Sequence, residues 1–251
     1  MIDQIAIAGY RSIRSIILRL GQLTVVTGAN GSGKSNVYRA LKLISDAAAG
    51  RLAESLAREG GFNSVRWAGS KSNGKDPVSL RLGFSSNSFS YCLDLGLPIP
   101  SDSAFDFDAE MKRECLWHGA SMDARSLCAD RGTRTLRARS AGGKWSDIDL
   151  SLSRHASMLS EYADPFNAPE LIVLNEPENS LHPDLIPALG RLIKLAAENS
   201  QVIVVSHSPI LVRELESDEI CVPIRLRKDD GATVLQDGDL LSQYGWKWPS
   251  R

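Results

Sequence analysis

The residues with the clearest chemistry lie in a glycine-rich run, GANGSGKS, at positions 28–35. This run matches the pattern GxxxxGK[ST] and stands between a predicted strand and a predicted helix, the context in which such a loop holds phosphate groups. Its glycines let backbone N–H groups point inward, and the following helix adds its positive N-terminal end. We expect Lys34 to reach the β- and γ-phosphates of a nucleoside triphosphate and the Ser35 hydroxyl to ligate Mg²⁺. The predicted phosphate-binding residues are Gly28, Ala29, Asn30, Gly31, Ser32, Gly33, Lys34, Ser35 and Asn36.

A dinucleotide cofactor matches the same run less well. Gly31 and Gly33 have the first spacing of the fingerprint GxGxxG, but Asn36 stands where the third glycine is required. An accidental glycine-rich turn is the other alternative, and the flanking strand and helix argue against it. The sequence therefore predicts a nucleoside triphosphate rather than NAD.

A second candidate site follows the apolar run LIVL, which leads into Asn175 and Glu176. Glu176 has the chemistry of a general base or of a group that orients an attacking water, although a solvated glutamate at a strand end is the structural alternative. In most nucleotide hydrolases with such a strand, an aspartate would stand at Asn175. The Asn175 amide can hydrogen-bond a metal-bound water without supplying charge, so Ser35 and Asn175 predict a weakened Mg²⁺ site.

A third candidate is His207, which follows the apolar strand QVIVV and is flanked by two serines. Its imidazole can donate a hydrogen bond to a γ-phosphate and so register whether that phosphate is present. A lone histidine at a strand end is usually structural, but its position after the two other motifs favours the functional interpretation. We expect both apolar strands to be buried, and the LIVLN strand to lie beside the strand that leads into the glycine-rich run.

The composition is that of an ordinary globular protein, with 43% hydrophobic and 24% charged residues in 251. The net charge of −1 gives the whole chain no bias toward nucleic acid, so any such affinity must come from a local patch. The four cysteines form no CxxC pair, and this argues against a zinc site or a disulfide framework. Neither a signal peptide nor an apolar run of about 20 residues is evident, and we predict a cytoplasmic location.

The pattern of elements predicts an α/β fold with a mostly parallel central sheet, N-terminal antiparallel strands and a β-rich insertion. Strands are predicted at IAIAG, SIILRL and QLTVVTG, and a helix with buried Val37, Ala40, Leu41 and Ile44 is expected to stop at Gly50. Further strands are predicted at SVRWAG, VSLRLGF and FSYCLDLGL, whereas residues 98–147 offer only the strand-like TLRARS. We divide the chain into a phosphate-loop lobe (1–60), an insertion (61–168) and a lobe with the second and third motifs (169–251).

The order of these motifs resembles that of the ATP-binding cassette superfamily, and most closely the RecF- and SMC-like bacterial AAA ATPases. The resemblance rests on AGYRSI at 8–13, TGANGSGKSN at 27–36, NEPENSLHPDL at 175–185, VVSHSP at 204–209 and the terminal GWKWPSR. It implies an ATPase head that binds ATP and Mg²⁺ and closes as a homodimer or heterodimer around two nucleotides. Ser180-Leu181-His182 would then be the loop that contacts the second subunit. The implied setting is DNA repair, genome maintenance or defence.

One expected feature of this resemblance is missing from the sequence. Such heads carry a glycine-containing signature about 20–25 residues before the catalytic glutamate, where this chain has Arg154 and His155 after Leu152-Ser153. An internal deletion near residue 170 is the simplest explanation, and GGFNSVRWAG occupies the place of the glutamine-bearing Q-loop. We therefore expect weak intrinsic hydrolysis. The alternatives are a nucleotide-binding switch with little turnover and, with less support, the ATPase subunit of a transporter.

Three further groups have a functional and a structural interpretation. A basic stretch could face DNA, but a solvated hairpin is favoured; its members are Arg125, Arg131, Arg134, Arg137, Arg139 and Lys144. Trp246 and Trp248 are predicted to anchor the C-terminal tail on the head rather than to stack on bases. Asp106, Asp108 and Glu110 could suggest a metal site, but a solvated acidic loop is favoured.

Overall fold

The computed structural model describes residues 1–67, 69, 79–97, 109–133, 135–140, 142–148, 157–159, 171–236 and 246–250. The elements in chain order are β1 (Ile2–Tyr10), β2 (Ile13–Arg19), β3 (Leu23–Gly28), α1 (Lys34–Ala48), α2 (Leu52–Arg58), α3 (Phe62–Val65), β4 (Ser79–Ser86), β5 (Phe89–Gly96), β6 (Glu110–His118), β7 (Leu127–Gly132), β8 (Leu136–Arg139), β9 (Trp145–Asp147), β10 (Leu171–Asn175), a 3₁₀ turn (Pro183–Leu185), α4 (Ile186–Ala197), β11 (Gln201–Val205), α5 (Pro209–Glu216), β12 (Cys221–Asp229) and β13 (Ala232–Leu235).

The larger of the two sheets that the described residues form is antiparallel, with the strand order β2-β1-β4-β5-β6-β7-β8-β9. Its N-terminal hairpin joins the later strands through β1, which pairs with β2 on one side and with β4 on the other. The N-terminal strands and the β-rich insertion therefore form one continuous sheet.

The smaller sheet has the order β10-β11-β3-β12-β13. Its first four strands are parallel, and β13 pairs antiparallel with β12. This sheet is the mostly parallel sheet that the strand–helix alternation predicts, so the predicted fold class is confirmed.

Helix α1 lies between the two sheets and forms the centre of the main core. Val37, Ala40, Leu41 and Ile44 are buried there, as the helical spacing predicts, together with side chains of β1, β4 and the facing side of the smaller sheet. The opposite side of the smaller sheet packs against α4 and α5, which bury Ile193 and Leu211. The chain leaves α1 at Gly50, whose φ of 71° ends the helix as expected. The helices thus cover both faces of the parallel sheet and leave its carboxyl edge to the loops.

Some predicted elements are wrong. SVRWAG is not a strand, because α3 runs from Phe62 to Val65 and only Arg66 makes an isolated bridge, to Tyr10. The LIVLN strand, β10, is not fully buried: within the described chain it pairs only with β11, and Ile172 is 38% exposed. An apolar run records the composition of a strand and not its position in the sheet, so it could not show that β10 lies at an edge.

Strands β6 and β7 are not predicted from the sequence pattern, because charged residues occupy core positions in both. Glu114 on β6 is fully buried, and Arg131 on β7 pairs with it at 3.4 Å. Each charge compensates the other, so the sheet tolerates them, but they break the alternation of polar and apolar residues that marks a strand. In the part of the chain described, no helix is long and apolar enough to cross a membrane.

Candidate nucleotide-binding site

Three strand ends bring the sequence motifs to one edge of the smaller sheet. Asn175 on β10 pairs with Val205 on β11, which in turn pairs with Val26 on β3. Immediately beyond this row come Glu176, the Ser206-His207 pair and Gly28, in that order across the sheet. Parallel strands end at a common edge, so three motifs that are far apart in the sequence become neighbours.

The order of these strands corrects one expectation. The strand beside β3 is β11, which ends in His207, and β10 lies one strand further away. Adjacent strands are about 4.8 Å apart, so the end of β10 is about 10 Å from the end of β3. Side chains of Asn175 and Glu176 must therefore approach a nucleotide from beyond His207.

The glycine-rich loop has no room for a side chain at two of its positions, Gly28 and Gly33. Gly33 has φ 105° and ψ 10° and caps α1 without any side-chain hydrogen bond. A Cβ at Gly33 would overlap the Thr233 side chain, and one at Gly28 would overlap the Leu226 carbonyl oxygen. Because the residue at the N-cap is a glycine, no side chain accepts a hydrogen bond from the first amides of α1. These amides are therefore available to bind an anion.

Lys34 places its positive charge inside this loop. Its Nζ donates hydrogen bonds to the carbonyl oxygens of Gly28 at 2.8 Å and Ala29 at 3.2 Å, and the residue is only 6% exposed. Ser35 is exposed at the start of α1. An uncapped helix start, a cradle that only glycine fits and an inward ammonium group together suit a phosphate chain.

A hydrogen-bond chain that sequence reasoning missed supports the loop from beneath. Asn36 Nδ2 donates to Ser12 Oγ at 2.7 Å, and Ser12 Oγ lies 2.7 Å from Thr233 Oγ1. Thr233 Oγ1 then donates to the Ser32 carbonyl oxygen at 2.8 Å. Ser12 lies within the AGYRSI run, which could have drawn attention to it, but nothing in the sequence around Thr233 marks that residue.

Glu176 has an unusual backbone conformation that sets its position. Its φ is 47°, a left-handed value that costs a non-glycine residue on the order of 1–3 kcal/mol. Its amide donates to the Val205 carbonyl oxygen at 2.7 Å, so the chain turns off β10 and toward the end of β11. The carboxylate is held by Asn179, whose Nδ2 donates to Oε2 at 2.8 Å.

His207 meets Glu176 at this edge. Its Nδ1 lies 3.5 Å from Glu176 Oε1, and its side chain is 47% exposed. The two predicted catalytic residues, found in separate motifs, are therefore adjacent. The Ser208 side chain accepts a hydrogen bond from the Leu211 amide and caps α5. The residue that follows His207 is therefore fixed at the start of this helix.

Glu178 is a second residue that the sequence analysis did not single out. It is buried, and its Oε1 accepts hydrogen bonds from Ser206 Oγ at 2.5 Å and from the amides of His207 and Ser208, both at 3.2 Å. The available signal was its place in the NEPE run, two residues after Glu176. Glu178 thus joins the loop of the second motif to that of the third.

The residues predicted for the metal and for the second subunit are exposed at the same edge. Asn175 ends β10 with an exposed side chain, as does Ser35 at the start of α1. Among the described residues, no cluster of three or more His, Cys, Asp or Glu could hold a metal ion by itself. Ser180 has φ 72°, and the Ser180-Leu181-His182 loop projects outward with Leu181 38% exposed.

The basic stretch does not form one surface. Arg131 is buried against Glu114, so it is not part of a basic edge. Arg137 pairs with Asp130 at 3.2 Å and lies over the ring of Trp145. Arg125, Arg139 and Lys144 are exposed, and Arg134 falls outside the described residues.

The tail and the acidic group also have definite outcomes. Trp246 is buried against Trp117 and packs edge-on against Trp248 at 5.2 Å, which confirms the anchoring interpretation. The prediction that Glu110 lies in a solvated loop is wrong, because this residue is buried on β6 and pairs with Lys112 at 2.7 Å. Asp106 and Asp108, together with Leu152-Ser153, Arg154, His155 and the residues before Leu171 where the deletion is inferred, fall outside the described ranges.

Comparisons with known proteins agree with this geometry. A family model described as "AAA domain, putative AbiEii toxin, Type IV TA system" matches residues 23–88 and 126–213, which is more than half of the chain. A search of curated proteins gives no match. Among solved structures, the SMC head domain from Thermotoga maritima superposes with a TM-score of 0.53 at 14% identity and covers 93% of this chain and 97% of that one.

A second solved structure, an Smc head bound to the C-terminal winged-helix domain of ScpA, gives a TM-score of 0.55 at 13% identity. It covers 93% of this chain and 96% of that one. At these identities the two structures establish the fold alone, whereas the family model spans all three motifs. The chain therefore belongs to this AAA-domain family, and its fold is that of the SMC head domains.

Proposed function

We propose that this chain is an ATPase head that binds ATP with Mg²⁺ and hydrolyses it slowly. The observation that carries the proposal is the placement of Glu176 and His207, 3.5 Å apart, on the sheet edge where the Lys34 loop also ends. A phosphate-binding loop alone would support binding. A carboxylate and an imidazole at the same edge add the groups that hydrolysis needs.

The phosphate chain is held by residues 28–36. The loop amides and the start of α1 donate hydrogen bonds to phosphate oxygens, and Lys34 leaves its two carbonyl partners for the β- and γ-phosphates. Ser35 and Asn175 would hold Mg²⁺, Ser35 through its hydroxyl oxygen and Asn175 through its uncharged amide oxygen. When bound, Mg²⁺ neutralises part of the charge that develops on the phosphates.

Glu176 and His207 have different roles at the terminal phosphate. The Glu176 carboxylate accepts a hydrogen bond from the attacking water and orients it, with its second oxygen fixed by Asn179. His207 turns Nδ1 toward Glu176, so Nε2 is the nitrogen that meets the terminal phosphate. The ring thereby links the presence of the γ-phosphate to the position of the base.

Slow turnover follows from the uncharged side chain at Asn175 and from the missing signature. With one negative charge fewer beside Mg²⁺, the metal is held less firmly. Stabilisation of the γ-phosphate by a second subunit is worth orders of magnitude in related chemistry, so a chain without its own signature depends on a partner. The exposed Ser180-Leu181-His182 loop is the surface for a homodimeric or heterodimeric contact.

The biological setting is proposed from the comparisons. The family description names a toxin of a type IV toxin–antitoxin system, and this favours defence among the three settings that the resemblance implies. An SMC head binds a winged-helix domain of ScpA, so a protein partner on the head is a second proposal for this chain. A role in DNA repair or genome maintenance rests on family analogy.

A second candidate function is a nucleotide-gated switch with little hydrolysis, which Asn175 favours. ATP turnover by the purified protein separates the two, measured beside Lys34→Ala and Glu176→Gln, each with and without DNA. We expect slow turnover that both variants abolish, with nucleotide binding lost only in Lys34→Ala. Binding without turnover above that of Glu176→Gln would identify a switch. Turnover at ordinary rates for the superfamily without any partner would refute the slow-hydrolysis proposal.

A further inference from the structure

The Ser206–Ser208 segment is held by a single buried carboxylate, that of Glu178. One oxygen, Oε1, receives the Ser206 hydroxyl and the amides of His207 and Ser208, while Ser206 Oγ also accepts from the Ser208 amide at 3.0 Å. Hydrogen bonds to a charged acceptor are stronger than neutral ones, and burial strengthens them further. The backbone on both sides of His207 therefore cannot move independently of Glu178.

Glu178 is equally fixed to the loop that carries Glu176. Asn179 and Leu181 donate their amides to the carbonyl oxygens of Glu176 and Glu178, at 3.0 and 3.1 Å, and close a tight turn. The side chain of Glu178 thus spans two loops that have no other buried side-chain connection in the part of the chain described. This connection and the bond from the Glu176 amide to the Val205 carbonyl oxygen hold His207 beside Glu176.

We propose that Glu178 is a positioning residue for hydrolysis, which holds His207 in register with Glu176 and the terminal phosphate. This inference rests on the proposed ATPase function. Glu178 acts through its neighbours because it is buried: its Oε1 accepts the three donors and lies 3.7 Å from His207 Nδ1. Its contribution is geometric: a displacement of about 1 Å at a catalytic group can cost about 100-fold in rate.

The test compares Glu178→Ala, Glu178→Asp and Glu178→Gln with the parent. Alanine removes the acceptor, and aspartate keeps the charge but withdraws it by one methylene. Glutamine retains a carbonyl oxygen that can accept the same three hydrogen bonds. We expect kcat to fall about tenfold or more in the Ala and Asp variants with the KM for ATP within about twofold, and most of kcat to return in the Gln variant. Glu216→Gln, which alters a half-buried ion pair with Arg225, is the matched control.

The pattern of loss distinguishes positioning from mere stability. Unchanged kcat in Glu178→Asp would overturn the proposal, as would a Gln variant that is no better than the Ala variant. If Glu178→Ala does not fold, the Asp and Gln variants decide the matter, with thermal unfolding confirming that both are native.

A parent without turnover would refute the proposed hydrolysis and leave the positioning role to a separate measurement. Amide hydrogen exchange at His207 and Ser208 should then accelerate at least about tenfold in Glu178→Asp and not in Glu178→Gln, since only the latter keeps the acceptor in place. Equal exchange in the parent and the Asp variant would overturn the inference whatever the ATPase assay shows.

Discussion

Thr233, on the last strand of the smaller sheet, donates its hydroxyl proton to the carbonyl oxygen of Ser32 at 2.8 Å. The phosphate loop is thereby tied to a residue near the far end of the chain. Thr233 is 1% exposed, and its side chain fills the space that a Cβ on Gly33 would need. The shape of the loop is thus determined by its tertiary neighbour as well as by its own glycines.

Replacing Thr233 with valine tests this support. The substitution keeps the shape and removes the hydroxyl, so the Ser32 carbonyl and the Ser12 hydroxyl each lose a buried partner. We expect a loss of about 1–3 kcal/mol in the free energy of unfolding and weaker nucleotide binding. Denaturant unfolding and titration with a fluorescent ATP analogue measure the two effects. Thr233→Ser, which retains the hydroxyl, should bind nucleotide nearly as the parent does, and equal losses in both variants would contradict the role of the hydroxyl.

The site was predictable from the sequence wherever it is built from a local motif. Lys34 and Ser35 follow from a short run whose spacing is imposed by the phosphate chain itself. The contact between Thr233 and Ser12 was not predictable, because it joins residues at opposite ends of the sequence and each is an ordinary hydroxyl residue. Glu178 was within a quoted motif, but only the folded chain shows that it meets Ser206.

The fold shows the same division between local and tertiary information. The burial of Val37 and Ile44 follows from the helical period and is found in α1. The insertion of β11 between β3 and β10 leaves no trace in the composition of any strand, because all three are short apolar runs. Hydrophobic periodicity reports which face of an element is buried, and not which strand becomes its neighbour.

Asn175→Asp should strengthen the metal site. The substitution restores a negative charge at the exposed end of β10, so we expect half-maximal ATP turnover at a lower Mg²⁺ concentration and a kcat raised severalfold. Turnover measured over a series of Mg²⁺ concentrations gives both quantities. Asn199→Asp adds the same charge at an exposed position after α4 and controls for net charge. Identical Mg²⁺ dependence in the parent and Asn175→Asp would remove Asn175 from the metal site.

The carboxyl group of Asp46 is expected to make the free energy of unfolding depend on pH in the acidic range. Burial alone would raise the pKa of this carboxyl, but hydrogen bonds from Lys42, Ser55 and Arg51 together lower it below the ordinary value. A carboxyl with a lowered folded pKa stabilises the protein above its unfolded pKa, near about 3.9, and loses that contribution as the pH falls through the folded pKa.

Asp46→Asn should therefore cost stability mainly at neutral pH. We expect a loss of about 1–3 kcal/mol at pH 7 that shrinks as the pH is lowered below about 4, measured by urea unfolding across this range. Glu54→Gln removes a carboxylate from an exposed pair with Arg58 on α2 and should change the free energy of unfolding by no more than about 0.5 kcal/mol. A cost for Asp46→Asn that stays constant down to pH 2 would show that the amide fails for steric reasons and not through the lost charge.

The buried pair of Glu114 and Arg131 should behave as a unit. Glu114 also accepts hydrogen bonds from the Tyr91 hydroxyl at 2.5 Å and from the Met158 amide at 3.0 Å, so it joins β6 to the segment at 157–159. Arg131→Met leaves the buried carboxylate without the guanidinium that faces it at 3.4 Å, and Glu114→Gln removes the charge of the carboxylate from that contact. Each single substitution should cost about 3–5 kcal/mol in the free energy of unfolding. The double variant should lose much less than their sum, because the contact between the two charges is then lost only once. Unfolding of all four proteins in urea completes the cycle, and strict additivity would show that the two charges do not stabilise each other.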